Sequence, residues 1–454
     1  MSLLLSRDVA ASIRDSKLLR DLKLVTLGVC FGIVFVNVTT GAPIAGFARI
    51  LGFGDLLYAV LLALPVLGGA LQIFASFVLE KTGKRKLAFL LGGFANRVPW
   101  LFVALLPLLV DKREALLGPF VGLLFVTAVG GAFLAVSFMS WVADLVPLEL
   151  RGRFFGHRSL LGTVASLASG LFIGWFLDTF RSITGFSLVI ALASVLGVLD
   201  ILCFLRVQDP PMERDAEFQG NVFHFFREVF VHPNFSRFLV FTVFWYFAFN
   251  VASPFFNLYM IRDLHMSFFH IALYVQAVAN FTTLFSIRLF GRLTDRFGNT
   301  PVTFLATSVA SFLPLLWCFT NATNWPFVVL IIQILAGIFW PAINLTVNNL
   351  ALKLSPDLHR SFYIAVLNLF LGVFGNALGY LVGGALLEYV APHIVHVAES
   401  FGVRFSPYYL VFILSTVLRA VATFLLLPKV HEEKALSVRE VCALASKVLR
   451  KNAD

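Results

Sequence analysis

Charged side chains are scarce in this sequence. Asp, Glu, Lys and Arg make up 13% of the 454 residues, whereas they make up about 25% of a typical soluble protein. Too few charges remain to surround a soluble enzyme domain of this size. Cysteine is rare as well, and the four cysteines show no pattern of a disulfide framework. Three of them lie in apolar stretches and one lies in the polar C-terminal part: Cys30, Cys203, Cys318 and Cys442.

Motifs for common enzyme chemistry are also missing. The sequence has no phosphate-binding Gly-Lys-Ser/Thr loop, which argues against ATP-driven pumping by this chain. The histidines are scattered, and the pair His393 and His396 has no acid or cysteine at metal-ligand spacing. We therefore predict no metal site, no cofactor and no enzymatic activity.

What the sequence does contain is a series of long apolar runs. Hydrophobic residues make up 59% of the chain, and the mean hydropathy is +0.89. A helix needs about 20 apolar residues to cross a bilayer, whereas barrel strands are shorter and alternate in polarity. The runs therefore predict an all-α integral membrane protein with 12 transmembrane helices. Their expected spans are 22–48, 56–79, 87–110, 115–143, 159–178, 184–205, 238–261, 267–290, 301–320, 325–352, 361–387 and 408–428.

Positive charge is distributed unevenly between the loops. Of the 35 Lys and Arg residues, 27 lie at the termini and in the even-numbered connections, and six lie in the odd-numbered connections. Because positively charged loops stay on the cytoplasmic side, this bias predicts cytoplasmic N- and C-termini. The net charge of +10 is thus a topology signal and predicts no nucleic-acid partner. The expected location is the plasma (inner) membrane, as a multi-pass protein.

The second half of the sequence repeats features of the first half in the same order. Equivalent residues recur at offsets of 213, 215, 209 and 209: Asn37 with Asn250, Glu80 with Asp295, Pro147 with Pro356, and Arg151 with Arg360. So steady an offset indicates two halves of six helices each. The expected domains are a cytoplasmic N-terminal segment, a six-helix bundle, a central cytoplasmic connection, a second six-helix bundle and a cytoplasmic tail: 1–21, 22–205, 206–237, 238–428 and 429–454.

One cytoplasmic loop carries a recognisable signature. Between the second and third helices of the second half, five residues match the pattern G-x-L-x-D-R-x-G: Gly291, Leu293, Asp295, Arg296 and Gly298. A degenerate copy follows the second helix of the first half, with Glu80, Lys81 and Gly83. Together with the six plus six spans, these loops resemble the major facilitator superfamily over residues 22–430. The resemblance implies that superfamily's fold of two pseudo-symmetric six-helix bundles.

The resemblance also implies a function. A member of this superfamily is expected to be a secondary active or facilitative transporter that works by alternating access. Its partners would be a small-molecule substrate and the lipid bilayer, with a coupling proton or ion left open, and it would act as a monomer. The alternative is a related protein that transports nothing and serves as a membrane assembly factor or sensor.

The signature loops are expected to form a gate. In the superfamily, the acid on each loop meets the start of a helix in the other half, where unpaired N–H groups and the helix dipole favour negative charge. Such contacts would hold the cytoplasmic side closed. The alternative is that these charges only orient the protein in the membrane. The candidate gating residues are Glu80, Lys81, Gly291, Asp295, Arg296, Arg151, Arg158 and Arg360.

Amides and aromatic residues supply the candidate substrate site. The resemblance places the first, fourth, seventh and tenth helices along the central path, with parts of the second, fifth, eighth and eleventh. The interiors of the four principal spans contain no Asp, Glu, Lys or Arg. A path of this kind suits a neutral polar or amphipathic molecule. For any single amide, a hydrogen bond between helices is the alternative. The candidates are Asn37, Gln72, Asn250, Asn257, Gln276, Asn280, Trp340, Asn344, Asn348, Asn376 and Tyr380.

A few charges lie within or beside the spans. Arg97 in span 3 and Asp200 in span 6 lie roughly 16 and 9 Å from the cytoplasmic ends at about 1.5 Å per residue, so a long Arg side chain can reach the acid. We expect a pair that is either structural or linked to proton coupling, and Asp144 is a further coupling candidate. Arg419 in span 12 has no acid opposite it in span 9, which leaves backbone carbonyls, snorkelling or a bound anion as partners.

Overall fold

The computed structural model describes residues 4–6, 9, 13, 15–110, 113–210, 229–356, 360–402, 405–433, 435 and 440. Regular structure in this part of the chain is entirely helical. Within these residues, twelve helices are long and apolar enough to cross a membrane, which confirms the predicted fold class. Labelled α1 to α12, they are Ser16–Thr40, Asp55–Thr82, Arg85–Leu109, Ala115–Leu145, Leu148–Thr179, Ile183–Arg206, Pro233–Arg262, Phe268–Phe297, Asn299–Trp317, Trp325–Leu354, Phe362–Ser400 and Pro407–Lys429.

Local sequence explains where the first helix begins and ends. It begins earlier than predicted because the Asp15 carboxylate accepts the N–H of Lys17 at 2.8 Å and caps the helix. It ends at Thr40, because Gly41 is extended and a separate short helix, Ala42–Ile50, begins with a proline in its first turn. The predicted end of the first span at 48 is therefore wrong.

Turns of a different pitch interrupt four of the long helices. A 3₁₀ turn, Gly68–Leu71, follows Pro65 inside α2. Turns of π-helix occur in α8, α11 and α12, at Leu273–Val278, Leu371–Ala377, Leu386–Val390 and Ala422–Leu426. Such turns occur often at functional sites. Two of them contain predicted substrate residues, Gln276 and Asn376.

The described chain forms two compact units. The first contains α1 to α6 together with Met260–Gln276, and the second contains the remaining parts of α7 and α8 with α9 to α12. In the first unit, the Phe89 ring packs 4.5 Å from that of Phe204 and 5.4 Å from that of Trp141, measured between centroids. In the second unit, the Phe235 and Tyr363 rings pack edge to face at 4.9 Å. Each unit thus has its own aromatic core.

Candidate functional site

An ion pair lies inside the first unit. The Arg97 guanidinium on α3 is 3.4 Å from the Asp200 carboxylate on α6, and the two side chains are 10% and 15% exposed. The guanidinium also lies over the Phe35 ring at 4.0 Å, a favourable cation–π arrangement. This geometry confirms the predicted pairing of Arg97 with Asp200.

Three glycines make room for this pair. A Cβ atom at Gly28 or Gly32 of α1 would lie 2.8 or 2.5 Å from a carboxylate oxygen of Asp200. At Gly197 of α6, a Cβ atom would lie 2.8 Å from Cδ of Arg97. Any larger residue at these positions would push the charged side chains away, because real Cβ atoms do not approach so closely.

The pair borders a cavity of about 370 Å³ within the first unit. Arg158 of α5 lines the same cavity, and its guanidinium lies 4.9 Å from the centre of the Phe138 ring. Most of the remaining wall is apolar, with Asn96 as an added amide that donates to the Thr127 carbonyl at 2.7 Å. Arg158, which the sequence suggested only as a gating residue, therefore shares a charged cavity with Arg97 and Asp200.

The second unit contains a buried arginine without an acid. Arg419 of α12 is 3% exposed and donates to the Ala310 carbonyl of α9 at 3.0 Å. Its guanidinium also lies 4.9 Å from the Phe249 ring and 5.9 Å from the Trp245 ring. Among the described residues it forms no ion pair. Of the partners left open by the sequence, the structure selects a backbone carbonyl and adds two aromatic faces.

Predicted substrate residues meet in an amide–aromatic cluster of the second unit. The Trp340 ring stacks on Phe249 at 4.5 Å, and the Tyr246 hydroxyl donates to Oδ1 of Asn344 at 3.2 Å. Asn250 donates to Oδ1 of Asn376 at 2.7 Å and to the Tyr246 carbonyl at 2.8 Å. The cluster consists of Tyr246, Phe249, Asn250, Trp340, Asn344 and Asn376. Sequence reasoning missed Tyr246, although it lies one turn before Asn250 on the same helix face.

The other predicted substrate residues lie in varied surroundings. Asn37 donates to the Ser166 carbonyl at 2.9 Å and to Ser169 Oγ at 3.0 Å, and thus joins α1 to α5. Gln276 packs against Gly170, and its Oε1 is buried without a hydrogen bond in the described part of the chain. Asn37 and Asn250 both find partners on another helix of their own unit, the alternative raised above for single amides. The remaining candidates are half-buried, apart from exposed Asn348: Gln72, Asn257, Asn280 and Tyr380.

Apart from Arg158, the predicted gating residues lie within two turns of a helix end. Most of them are exposed, namely Glu80, Lys81, Asp295, Arg296 and Arg360. Gly291 is half-buried, and space is open where a Cβ would stand. Arg151 donates to the carbonyls of Ala143 and Val146 and so caps the end of α4.

A three-point clamp closes one end of the first unit. Arg85, the first residue of α3, donates to Asp144 near the end of α4 at 2.5 Å and to Asp209 just after α6 at 2.8 Å. It also donates to the Pro210 carbonyl at 2.5 Å. The Arg85 side chain is fully buried, whereas those of Asp144 and Asp209 are 46% and 31% exposed. Asp144, predicted as a coupling residue, thus helps to join three helix ends.

The second unit has a clamp at the equivalent place, centred on the acid after its last helix instead of on an arginine. Glu432, just after α12, accepts from the backbone N–H of Thr300 at 2.6 Å, from Asn299 at 2.8 Å and from Lys353 at 2.9 Å. Asn299 is the first residue of α9 and Lys353 is next to last in α10, the places that Arg85 and Asp144 hold in the first unit. Burial tends to raise the pKa of the Glu432 carboxyl, but the donors outweigh it and lower this pKa below its usual 4.5.

Replacing Glu432 by Gln should lower thermal stability at neutral pH and remove a pH dependence. A lowered pKa means that the carboxylate stabilises the fold above its usual value of 4.5, and that this contribution disappears as the pH falls through the folded value. The difference in melting temperature between wild type and variant should therefore shrink as the pH is lowered from neutral to below 4.5. Glu433→Gln, at the exposed neighbouring position, is the control and should change neither quantity. A constant difference at all pH values would contradict the assignment.

Twelve membrane-length helices among the described residues define a multi-pass membrane protein. The sequence model described as "Major Facilitator Superfamily" matches residues 24–289 and 238–453. The chain belongs to the Major Facilitator Superfamily, a family of membrane transporters, which confirms the resemblance seen in the sequence. Among curated proteins, none matches the chain.

Solved structures of transporters share the fold at low sequence identity. A point mutant of the nucleoside transporter NupG is 13% identical, with a TM-score of 0.68 over 91% of this chain and 100% of its own. A D-xylose–proton symporter is 15% identical, with a TM-score of 0.65 over 93% of this chain and 100% of its own. An inward-facing bacterial homologue of the human lysosomal transporter Spinster is 18% identical, with a TM-score of 0.61 over 94% and 100%.

Proposed function

We propose that this protein is a secondary active or facilitative transporter that moves a small neutral polar or amphipathic molecule by alternating access of its two bundles. The observation that carries the proposal is the family match along nearly the whole chain. The uneven loop charge supports placement in the plasma (inner) membrane with both termini cytoplasmic. We expect the protein to act as a monomer, because one chain already contains both six-helix bundles that alternating access needs.

The amide–aromatic cluster supports recognition of neutral polar groups. Asn344 and Asn376 offer amide N–H groups, and Trp340 and Phe249 present flat apolar faces. Asn250 holds Asn376 in place with one of its own amide hydrogens. Ligand sites commonly combine a mostly apolar wall with a few placed polar groups. We therefore assign first contact with the substrate to this cluster, together with the other predicted amides.

Transport can be tested with purified protein. A thermal-shift screen would begin with nucleosides and pentoses, the cargoes named for two of the similar structures. Each stabilising compound would then be tested for uptake into liposomes. Asn344→Ala should weaken binding of a hit several-fold, since a neutral hydrogen bond contributes about 0.5–1.5 kcal/mol. Asn321→Ala, in the exposed connection before α10, is the control and should bind the hit like wild type. No uptake of any stabilising compound would favour the assembly-factor or sensor alternative.

A gating role for the signature loop predicts a specific change in accessibility. Asp295→Asn should increase labelling of a reporter cysteine on the cytoplasmic side by a water-soluble thiol reagent, because it removes a charge from a helix-end contact of up to about 2 kcal/mol. Asp295→Glu keeps the charge and should label like wild type. Unchanged labelling together with unchanged uptake in Asp295→Asn would leave the loop charge with only its orienting role.

A further inference from the structure

The cavity of the first unit carries more positive than negative charge. Two guanidinium groups line it, those of Arg97 and Arg158, and one carboxylate, that of Asp200. Arg97 is only 8% exposed, and its ion pair with Asp200 uses a single N···O contact of 3.4 Å. The Nε atoms of both arginines are buried and have no hydrogen-bond acceptor within the described residues. The cavity therefore holds one positive charge in excess and donors that are not used.

An excess cation in such surroundings calls for a negative partner. Charged groups inside a membrane protein are costly unless they are paired or hydrogen-bonded. Asp200 can balance only one of the two guanidiniums, and it already faces both. A guanidinium presents its N–H groups in a planar fork that matches a carboxylate, and charge-assisted bonds of this kind are stronger than neutral ones. One carboxylate added to the cavity would balance its charge.

The remaining wall determines what else the ligand must be. Apolar residues of α1 and α4 complete the cavity, among them Val36, Leu134 and Phe138. Its volume of about 370 Å³ is in the range of pockets for small molecules. An apolar wall beside two guanidiniums fits a compact apolar body that ends in a single negative group. A strongly polar or multiply charged molecule would leave its other polar groups without partners.

We propose that this cavity binds the carboxylate group of a small amphipathic acid between Arg158 and Arg97. The inference rests on the proposed transport function and changes one feature of it: the substrate is amphipathic, as proposed, but carries one negative charge instead of being neutral. Arg158 makes the main contact, because Arg97 is already engaged by Asp200. Asp200 competes with the ligand for both guanidiniums, so the carboxylate of the protein and that of the ligand share one pair of cations.

Benzoate and benzamide are suitable probes, because they have the same ring and differ in charge. With full-length protein in phosphatidylcholine nanodiscs, benzoate should bind and raise the melting temperature, whereas benzamide should bind at least about tenfold more weakly. Arg158→Gln should weaken benzoate binding by about tenfold or more. Arg153→Gln, at an exposed position of the same helix outside the cavity, should bind benzoate like wild type.

A second variant gives an effect of opposite sign. Asp200→Asn removes the competing carboxylate, so benzoate should bind about tenfold more tightly and should restore part of the melting temperature that this variant loses. Equal binding of benzoate and benzamide, or equal benzoate binding by wild type and Arg158→Gln, would overturn the proposal. If Asp200→Asn does not fold, the comparison of Arg158→Gln with Arg153→Gln decides alone.

Lipid is the other source of a negative group. Repeating the titration in nanodiscs that contain phosphatidylglycerol tests whether a lipid headgroup fills the cavity. If the benzoate affinity of the wild type is the same with and without phosphatidylglycerol, the ligand of the cavity is a small soluble acid. If phosphatidylglycerol weakens benzoate binding by the wild type and has no such effect on Arg158→Gln, the lipid headgroup occupies the cavity and the proposal is overturned. Because binding is measured without transport, benzoate binding with no uptake into liposomes would count against the transport function and leave the site intact.

Discussion

Replacing Asp200 by Asn should lower the free energy of unfolding by about 3–5 kcal/mol, because it leaves the buried Arg97 guanidinium without its counter-charge. The loss should be larger than that caused by Arg97→Met. In Asp200→Asn, both Arg97 and Arg158 face a cavity without a carboxylate, whereas in Arg97→Met the acid still faces Arg158. Chemical or thermal unfolding of the purified variants in one detergent measures this order.

A double variant separates the pair from its surroundings. Arg97→Met combined with Asp200→Leu removes both charges and should recover most of the lost stability, since apolar replacement of a buried pair is often neutral.

The single variant Asp200→Asn distinguishes the two roles left open for the pair. Reduced stability of this variant with pH-dependent transport retained would show that the pair is structural. Normal stability with loss of pH-dependent transport would show that the pair takes part in coupling. Wild-type behaviour of Asp200→Asn in both assays would contradict the ion pair.

Replacing Arg85 by Gln should cost about 2–4 kcal/mol of unfolding free energy. The variant loses charge-assisted bonds to Asp144 and Asp209, and each such bond typically contributes about 1.5–3 kcal/mol. We expect less than the sum, because both carboxylates are partly exposed and can be hydrated once the arginine is gone. The melting temperature of the variant measures the loss.

Arg181→Gln is the control for the clamp. Arg181 also pairs with an acid, Asp178, at 2.8 Å, but its side chain is 58% exposed, and the Asp178 carboxylate keeps the backbone N–H donors of Phe268 and Phe269. Surface pairs contribute about 0–1 kcal/mol, so this variant should remain close to wild type. Arg85→Lys is a stricter comparison, because a single ammonium cannot make all the directed contacts of the guanidinium. Equal stability of the Arg85 and Arg181 variants would contradict a special role for the clamp.

The helices were predictable because their physical requirement is local. Each run of apolar residues must be a helix in a bilayer, whatever the rest of the chain does. Helix ends were less predictable, because polar residues can continue a helix outside the apolar run. For example, α5 begins at Leu148 rather than 159, and α11 extends to Ser400 rather than 387.

A contact between side chains was predictable only where both partners belong to a residue type that is rare in its part of the sequence. Arg97 and Asp200 are rare intramembrane charges of opposite sign at similar depth, so their pairing followed from the sequence. Arg85 and Glu432 are charged residues among many at helix ends, and nothing local shows which of their neighbours they will meet. The position of Arg158 in the charged cavity was missed for the same reason.

The two clamps also affect the order in which the protein can be assembled during synthesis. In each unit the acid that completes the clamp, Asp209 or Glu432, comes after the sixth helix. The clamp contacts of a bundle can therefore form only after its last helix has left the ribosome. The first bundle has all three parts of its clamp before α7 is translated, so it can fold ahead of the second, in line with the general tendency of N-terminal domains to fold first. A stop codon placed directly after α12 would thus produce a second bundle that has all six helices but lacks Glu432, the acid that links them.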